Sequence, residues 1–157
     1  MSVTSKTVRR ATVDDIDEID KANRAMLPEN YSTDFYKQFF SSNACCNFVV
    51  VDANGEFAGY ILATAEIDAK KQLIGHIYSI AVYPKHQRKG FATLLLNSVE
   101  QDLKERFPAI KYISLNVRKS NKAATLLYCK HDYNRAKVEK AYYKNKVEDG
   151  LLMKKYL

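Results

Sequence analysis

Gln87-Arg88-Lys89-Gly90-Phe91-Ala92 is the stretch on which the fold turns. Before it runs an apolar segment, Gly75-His76-Ile77-Tyr78-Ser79-Ile80-Ala81-Val82, which reads as a strand stopped by Pro84. After it, Phe91, Leu95, Val99, Leu103 and Phe107 recur every fourth residue, one face of a long amphipathic helix that Pro108 ends. A helix entered in this way leaves its first amides without internal partners, aimed at whatever precedes them. Gly90 lets a backbone approach an anion closely, and small Ala92 keeps the helix entrance clear. Lys85, His86, Arg88 and Lys89 add positive charge. These features make a phosphate cradle, and by themselves they also describe plain helix entry between basic residues.

Outward from this stretch the pattern alternates between strand and helix. Val8-Arg9-Arg10-Ala11 reads as a first strand, and Thr12 with Asp15 forms a capping box ahead of Ile16, Ile19 and Asn23. That helix ends near Leu27-Pro28. A second helix after Tyr31-Ser32-Thr33 buries Phe35, Tyr36, Phe39 and Phe40. Strands are predicted at Phe48-Val49-Val50-Val51 and, beyond an Asn54-Gly55 turn, over 57–65. In a strand over 112–117, Ile113, Leu115 and Val117 share one face, while Ser114, Asn116 and Arg118 share the other. Asn121 caps a helix carrying Leu126, Leu127 and Tyr128, and strands near 134–141 and 150–157 follow. The order β-α-α-β-β-β-α-β-α-β-β is a mixed α/β pattern.

The chain has 157 residues, 46% hydrophobic and 27% charged, which fits one globular domain over 1–157. Residues 1–6 read as a flexible leader without the apolar stretch of a signal peptide, and a cytoplasmic location, with the nucleus as a second one, is expected. No apolar run reaches the roughly 20 residues needed to cross a bilayer. Cys45, Cys46 and Cys129 make no disulfide framework and have no partners at metal-ligand spacing, so neither disulfide nor metal is expected. Lysine and arginine number 25 against 18 acidic residues, a net charge of +7. That charge suits an anionic partner, whether nucleic acid, ribosome or phosphate-rich cofactor, but no common nucleic-acid motif is present.

The segment 87–92 resembles the Q/R-x-x-G-x-G/A signature of the GNAT acetyltransferase superfamily. Asn121 and Tyr128 match the residues those enzymes place near the pantetheine and the thiolate leaving group. Leu27-Pro28-Glu29-Asn30-Tyr31, the 75–82 strand, Val117-Arg118-Lys119-Ser120-Asn121-Lys122-Ala123-Ala124 and Tyr142-Tyr143 narrow the resemblance to NatA-type N-terminal acetyltransferases. These matches run in the family's order along nearly the whole chain. The resemblance implies a GNAT fold: a mixed, mostly antiparallel sheet of about seven strands with flanking helices, splayed between strands 4 and 5. It implies acetyl-CoA held by Ile80, Ala81, Val82, Gln87, Arg88, Lys89, Gly90, Phe91, Ala92, Asn121 and Tyr128. It also implies protein N-termini as substrates, a large helical-repeat auxiliary subunit and association with ribosomes. Small N-terminal residues are then the expected substrates in the complex, and acidic ones for the catalytic subunit alone.

An α-amine with a pKa near 8 costs roughly 3 kcal/mol less to deprotonate than a lysine near 10.4, so a modest base acting through water suffices. His76 is the candidate base, and a histidine satisfied by a backbone carbonyl is its structural reading. Tyr128 is the candidate proton donor to the thiolate, and an amide of the fourth strand the oxyanion donor. Glu29 could attract the substrate ammonium, order a water or fix its loop. Arg118 could organise the site through hydrogen bonds to Glu29 or to substrate backbone, or form a plain surface salt bridge. Leu27, Pro28, Tyr31, Tyr78 and Asn116 belong to the substrate groove. Of adjacent Tyr142 and Tyr143, at most one faces it. Asn116 departs from relatives that carry a histidine there, and an asparagine takes no proton at neutral pH. Two other readings stay open: a GNAT enzyme acting on lysine side chains or, like the RimI group, on one ribosomal protein, and a basic binding module on the same fold.

Overall fold

The computed structural model describes residues 6–143 and 148–157. Its strands are β1 (Thr7–Arg10), β2 (Phe48–Val51), β3 (Phe57–Ile67), β4 (Leu73–Val82), β5 (Tyr112–Arg118), β6 (Asn134–Tyr143) and β7 (Glu148–Tyr156). The helices are α1 (Ile16–Met26), α2 (Thr33–Ser41), α3 (Phe91–Arg106) and α4 (Lys122–Lys130). One seven-stranded sheet runs in the order β1-β2-β3-β4-β5-β7-β6. Every neighbouring pair is antiparallel except β4 and β5. The expected GNAT architecture is therefore present. Of the leader expected at residues 1–6, residues 1–5 lie outside the described residues.

Alternation along the central strands assigns each residue to a layer. Phe48, Val50, Ile61, Ala63 and Ile77 pack with Phe91, Leu95, Leu96, Val99 and Leu103 of α3. Val49, Tyr60 and Leu62 point the other way, onto Ile19 and Ala22 of α1 and Tyr36 of α2. The capping box closes as expected, since the Asp15 carboxylate accepts from Thr12 N–H at 2.8 Å. Asp102 ties α3 to the first strand through a bidentate pair with Arg10 at 2.8 and 3.0 Å and a bond from Arg106 at 3.0 Å. The last strand begins at Glu148 rather than near 150, because Glu148 pairs with Tyr143 and carries the β6–β7 hairpin outward.

The feature that makes a site is the failure of β4 and β5 to stay paired. Their register covers Gly75–Ile113, His76–Ser114 and Ile77–Leu115 only. Beyond those pairs the parallel strands diverge, which is the expected splay. On the other side of β4 the pairing jumps from Leu62–Ser79 to Ala63–Ile77. Tyr78 is thus the extra residue of a β-bulge, which bends the strand and re-aims its groups beside the gap.

Candidate active site

The gap between the splayed strands opens into a channel of about 580 Å³, with β4, β5, α4, β6 and the α1–α2 loop supplying its walls. His76, Tyr78 and Ile80 come from β4, and Asn116 and Arg118 from β5. Asn121 and Tyr128 come from α4, Leu27, Pro28, Glu29 and Tyr31 from the loop, and Tyr142 from β6. Residues scattered between positions 26 and 142 thus meet in one place.

On the loop side, Glu29 forms an ion pair with Arg118, joining the α1–α2 loop to the end of β5. The Arg118 side chain is 14% exposed and that of Glu29 38%, so the pair is shielded on one flank and open to the channel on the other. The loop is held from beneath by a buried polar network that local pattern did not reveal. Asn23 donates to the Glu29 carbonyl at 3.0 Å and to the Tyr60 hydroxyl at 3.2 Å. Tyr60 meets Ser79 of β4 at 2.7 Å, and Asn30 donates to Asn23 Oδ1 at 3.0 Å. In α1 Asn23 occupies what reads as a position on the apolar face, and that was its only signal. Tyr31 donates its hydroxyl to the carbonyl of the bulged Tyr78 at 3.1 Å. Burial pushes the Tyr31 phenol up to about 12, so it remains a donor at neutral pH.

On the strand side, His76 and Tyr78 meet edge to face with ring centroids 4.8 Å apart, as their spacing on β4 implies. His76 Nδ1 lies 2.7 Å from Ser114 Oγ. Burial lowers the imidazole pKa, with Glu66 and Glu139 opposing, so the ring is neutral at working pH. The Tyr78 hydroxyl donates to Glu66 at 2.6 Å. Asn116 donates to the Tyr142 hydroxyl at 3.1 Å and thereby braces the β6 wall. Tyr142 is the member of the tyrosine pair that lines the channel. The Tyr143 side chain lies outside the described residues.

The cofactor half is built around α3. Gly90 sits in the left-handed region at φ 86° as the residue before the helix, and among the described residues no side chain caps the first amides. The first turn carries no acidic residue. These free amides and the missing carboxylate suit an anion. Several predicted contributors take more specific roles. The Gln87 side chain turns inward and donates to the Val82 carbonyl at 2.9 Å, tying the loop to β4. Phe91, Ala81 and Val82 bury their side chains in the core, so they offer backbone only. Of the 80–82 segment, Ile80 lines the channel.

The charge expected from Lys85 and His86 is taken up by partners, which corrects the sequence reading. Lys85 pairs with Glu56 at 2.8 Å, and buried His86 meets Asp52 at 2.9 Å. Asp52 is held at about 2, chiefly by the bond from His86. Arg88 adopts φ 62°, and Lys6, the last residue of the expected leader, donates to the Lys89 carbonyl and lies 5.8 Å over the Phe91 ring.

Asn121 caps α4 by accepting from Ala124 N–H at 3.1 Å while lining the channel. Tyr128 is buried, with its ring 6.2 Å from that of Tyr133. Burial drives its phenol well above the usual tyrosine value, so it keeps its proton throughout the working range.

Residues 16–133 match the acetyltransferase (GNAT) family. The N-terminal acetyltransferase A complex catalytic subunit NAA10 of Arabidopsis thaliana is 38% identical over 151 residues, covering 96% of this chain and 77% of that protein. An N-alpha-acetyltransferase of Saccharolobus solfataricus is 39% identical over 154 residues, covering 94% and 90%. Among solved structures, Chaetomium thermophilum Naa20 in complex with a bisubstrate analogue superposes with a TM-score of 0.84 at 26% identity, covering 96% of this chain and 86% of that one.

Proposed function

The chain belongs to the acetyltransferase (GNAT) family, and on that premise we propose that it moves acetyl groups from acetyl-CoA to the α-amine of protein N-termini. The observation that carries this reading is the convergence of His76, Glu29–Arg118 and Tyr128 on one channel between splayed strands.

Acetyl-CoA, when bound, supplies an acetyl group already activated as a thioester. The uncapped amides at the start of α3, with Gly90, Arg88 and Lys89, would hold its phosphates, and Ile80, Asn121 and Tyr128 would line its inner end. Glu29, fixed by Arg118, presents a carboxylate that attracts the substrate ammonium. His76, neutral because it is buried, takes the proton that this ammonium loses, directly or through one water. The bend at the Tyr78 bulge would place a backbone amide of β4 to donate to the thioester oxygen as the freed amine adds to its carbon. Tyr128, still protonated, would donate its hydroxyl to the thioester sulfur and protonate it on leaving. Asn116 contributes no proton; it orients Tyr142 on the peptide wall.

Similarity to the catalytic subunit of an acetyltransferase complex supports a further reading, that a large helical-repeat subunit docks on this chain and brings it to ribosomes. Cytoplasmic action follows from that reading. Among the described residues no helix is long and apolar enough to cross a membrane. The test is initial rates with acetyl-CoA against peptides beginning Ser, Ala, Asp, Glu and Met. Turnover on the free α-amines is expected. Acetylation confined to internal lysines would reject the reading.

A further inference from the structure

We infer that Ser114 is a positioning residue for the transfer: it fixes which nitrogen of His76 carries the proton, so that Nε2 faces the channel as an acceptor. The inference rests on the reading of His76 as the base.

His76 and Ser114 are register partners in the short paired stretch of β4 and β5, which sets their side chains side by side. The contact is 2.7 Å from Nδ1 to Oγ, and Ser114 is 3% exposed. The same Oγ lies 3.5 Å from the Gly75 carbonyl. A serine hydroxyl has one proton to give and two lone pairs to receive, whereas a carbonyl can only accept. If the hydroxyl donated to Nδ1, its lone pairs would face the carbonyl and Nε2 would carry the ring proton. If Nδ1–H donates to Oγ, the hydroxyl proton turns toward Gly75 and every group has a use. The second arrangement leaves Nε2 unprotonated, the form a base requires.

The other charged groups around the ring do not replace this contact. Glu66 on β3 is engaged by the Tyr78 hydroxyl, Glu29 by Arg118, and the Tyr142 hydroxyl by Asn116. Glu139 on β6 acts on the ring through its charge. Among the described residues no other side chain hydrogen-bonds to the imidazole. A carboxylate in place of Ser114 would orient the ring equally well but would hold it protonated to higher pH. A hydroxyl sets the tautomer without adding charge.

The experiment starts from the unmodified chain with ¹⁵N-labelled histidine. Long-range ¹H–¹⁵N spectra at pH 8 are expected to show a protonated Nδ1 and a bare Nε2 for His76. A protonated Nε2 overturns the inference with no variant needed. Kinetics on Ser114→Ala then test the consequence. We expect kcat to fall about five- to tenfold and the acid limb of its pH profile to move, with KM for acetyl-CoA within about twofold. Ser114→Thr, which keeps the oxygen, is expected to restore most of kcat. If His76→Ala abolishes turnover while Ser114→Ala leaves kcat and its pH profile unchanged, the inference falls and the base reading stands. If His76→Ala leaves turnover unchanged, the base reading falls and takes the inference with it.

Discussion

Replacing Gly90 by alanine separates the conformational role of the 87–92 loop from its packing. Gly90 has φ 86°, and among the described residues a Cβ there would meet only Lys6 Nζ at 3.1 Å, the movable end of a long side chain. The cost is therefore backbone strain, about 1–2 kcal/mol for an L-residue in the left-handed region. About 0.4–1 kcal/mol returns because alanine has less freedom than glycine when unfolded. A net loss near 1 kcal/mol lowers Tm by about 2–4 °C in a chain of this size. Binding should suffer more than folding. Relaxing the strain tilts the first amides of α3, and losing one hydrogen bond to a charged phosphate costs about 1.5–3 kcal/mol, tenfold or more in affinity. Initial rates with acetyl-CoA varied at saturating peptide should show KM raised about tenfold, with kcat and the peptide KM within twofold. Acetyl-CoA should also stabilise the variant by about 1.4 kcal/mol less than the native chain at the same excess of ligand. An unchanged acetyl-CoA KM beside a lowered Tm would refute the assignment of this loop to the phosphates.

Glu29→Gln leaves Arg118, whose side chain is 14% exposed, without its Glu29 carboxylate. Stability should fall by about 1 kcal/mol and kcat/KM for peptide about tenfold, with a coupling near 1 kcal/mol in a double-mutant cycle with Arg118→Met; additive effects would dissolve the pair. Tyr128→Phe should lower kcat about tenfold with little change in either KM, because only the donated proton is lost; full activity would remove Tyr128 from the chemistry. Burial alone would push Asp102 up, but hydrogen bonds from Arg10 and Arg106 outweigh it and hold the carboxylate at about 2. Its contribution is present above the ordinary aspartate value near 3.9 and is lost as pH falls toward 2. Urea unfolding between pH 4 and 2 should show a gentler loss for Asp102→Asn than for the native chain, and equal slopes would exclude the effect.

What could be read from the residues was local or periodic. The four-residue apolar spacing of α3, the Thr12–Asp15 capping box, the apolar run of β2 and the alternation in β5 each depend on neighbours in the chain, so they are legible in the sequence alone. The splay of β4 from β5 came only through resemblance, since nothing in either strand alone says where parallel pairing stops. Long-range pairing was out of reach. Lys85 and His86 look like free cations until the β2–β3 turn delivers Glu56 and Asp52, and nothing near Gln87 in the chain announces its bond to the Val82 carbonyl. The Asn23–Tyr60–Ser79 network draws on α1, β3 and β4, and each member alone passes for an ordinary core position. For Arg118 the sequence leaves Glu29 and substrate backbone equally open as partners, and the fold brings it to Glu29.

The central claim is that the splayed channel acetylates α-amines, and the site of the acetyl group on the product tests it most directly. A peptide beginning with Ser and carrying one internal lysine is incubated with acetyl-CoA and the full chain, then sequenced by tandem mass spectrometry. Acetyl on the α-nitrogen, with the lysine untouched and the product lost in His76→Ala, is the predicted result. Acetyl on the lysine with a free α-amine would contradict it.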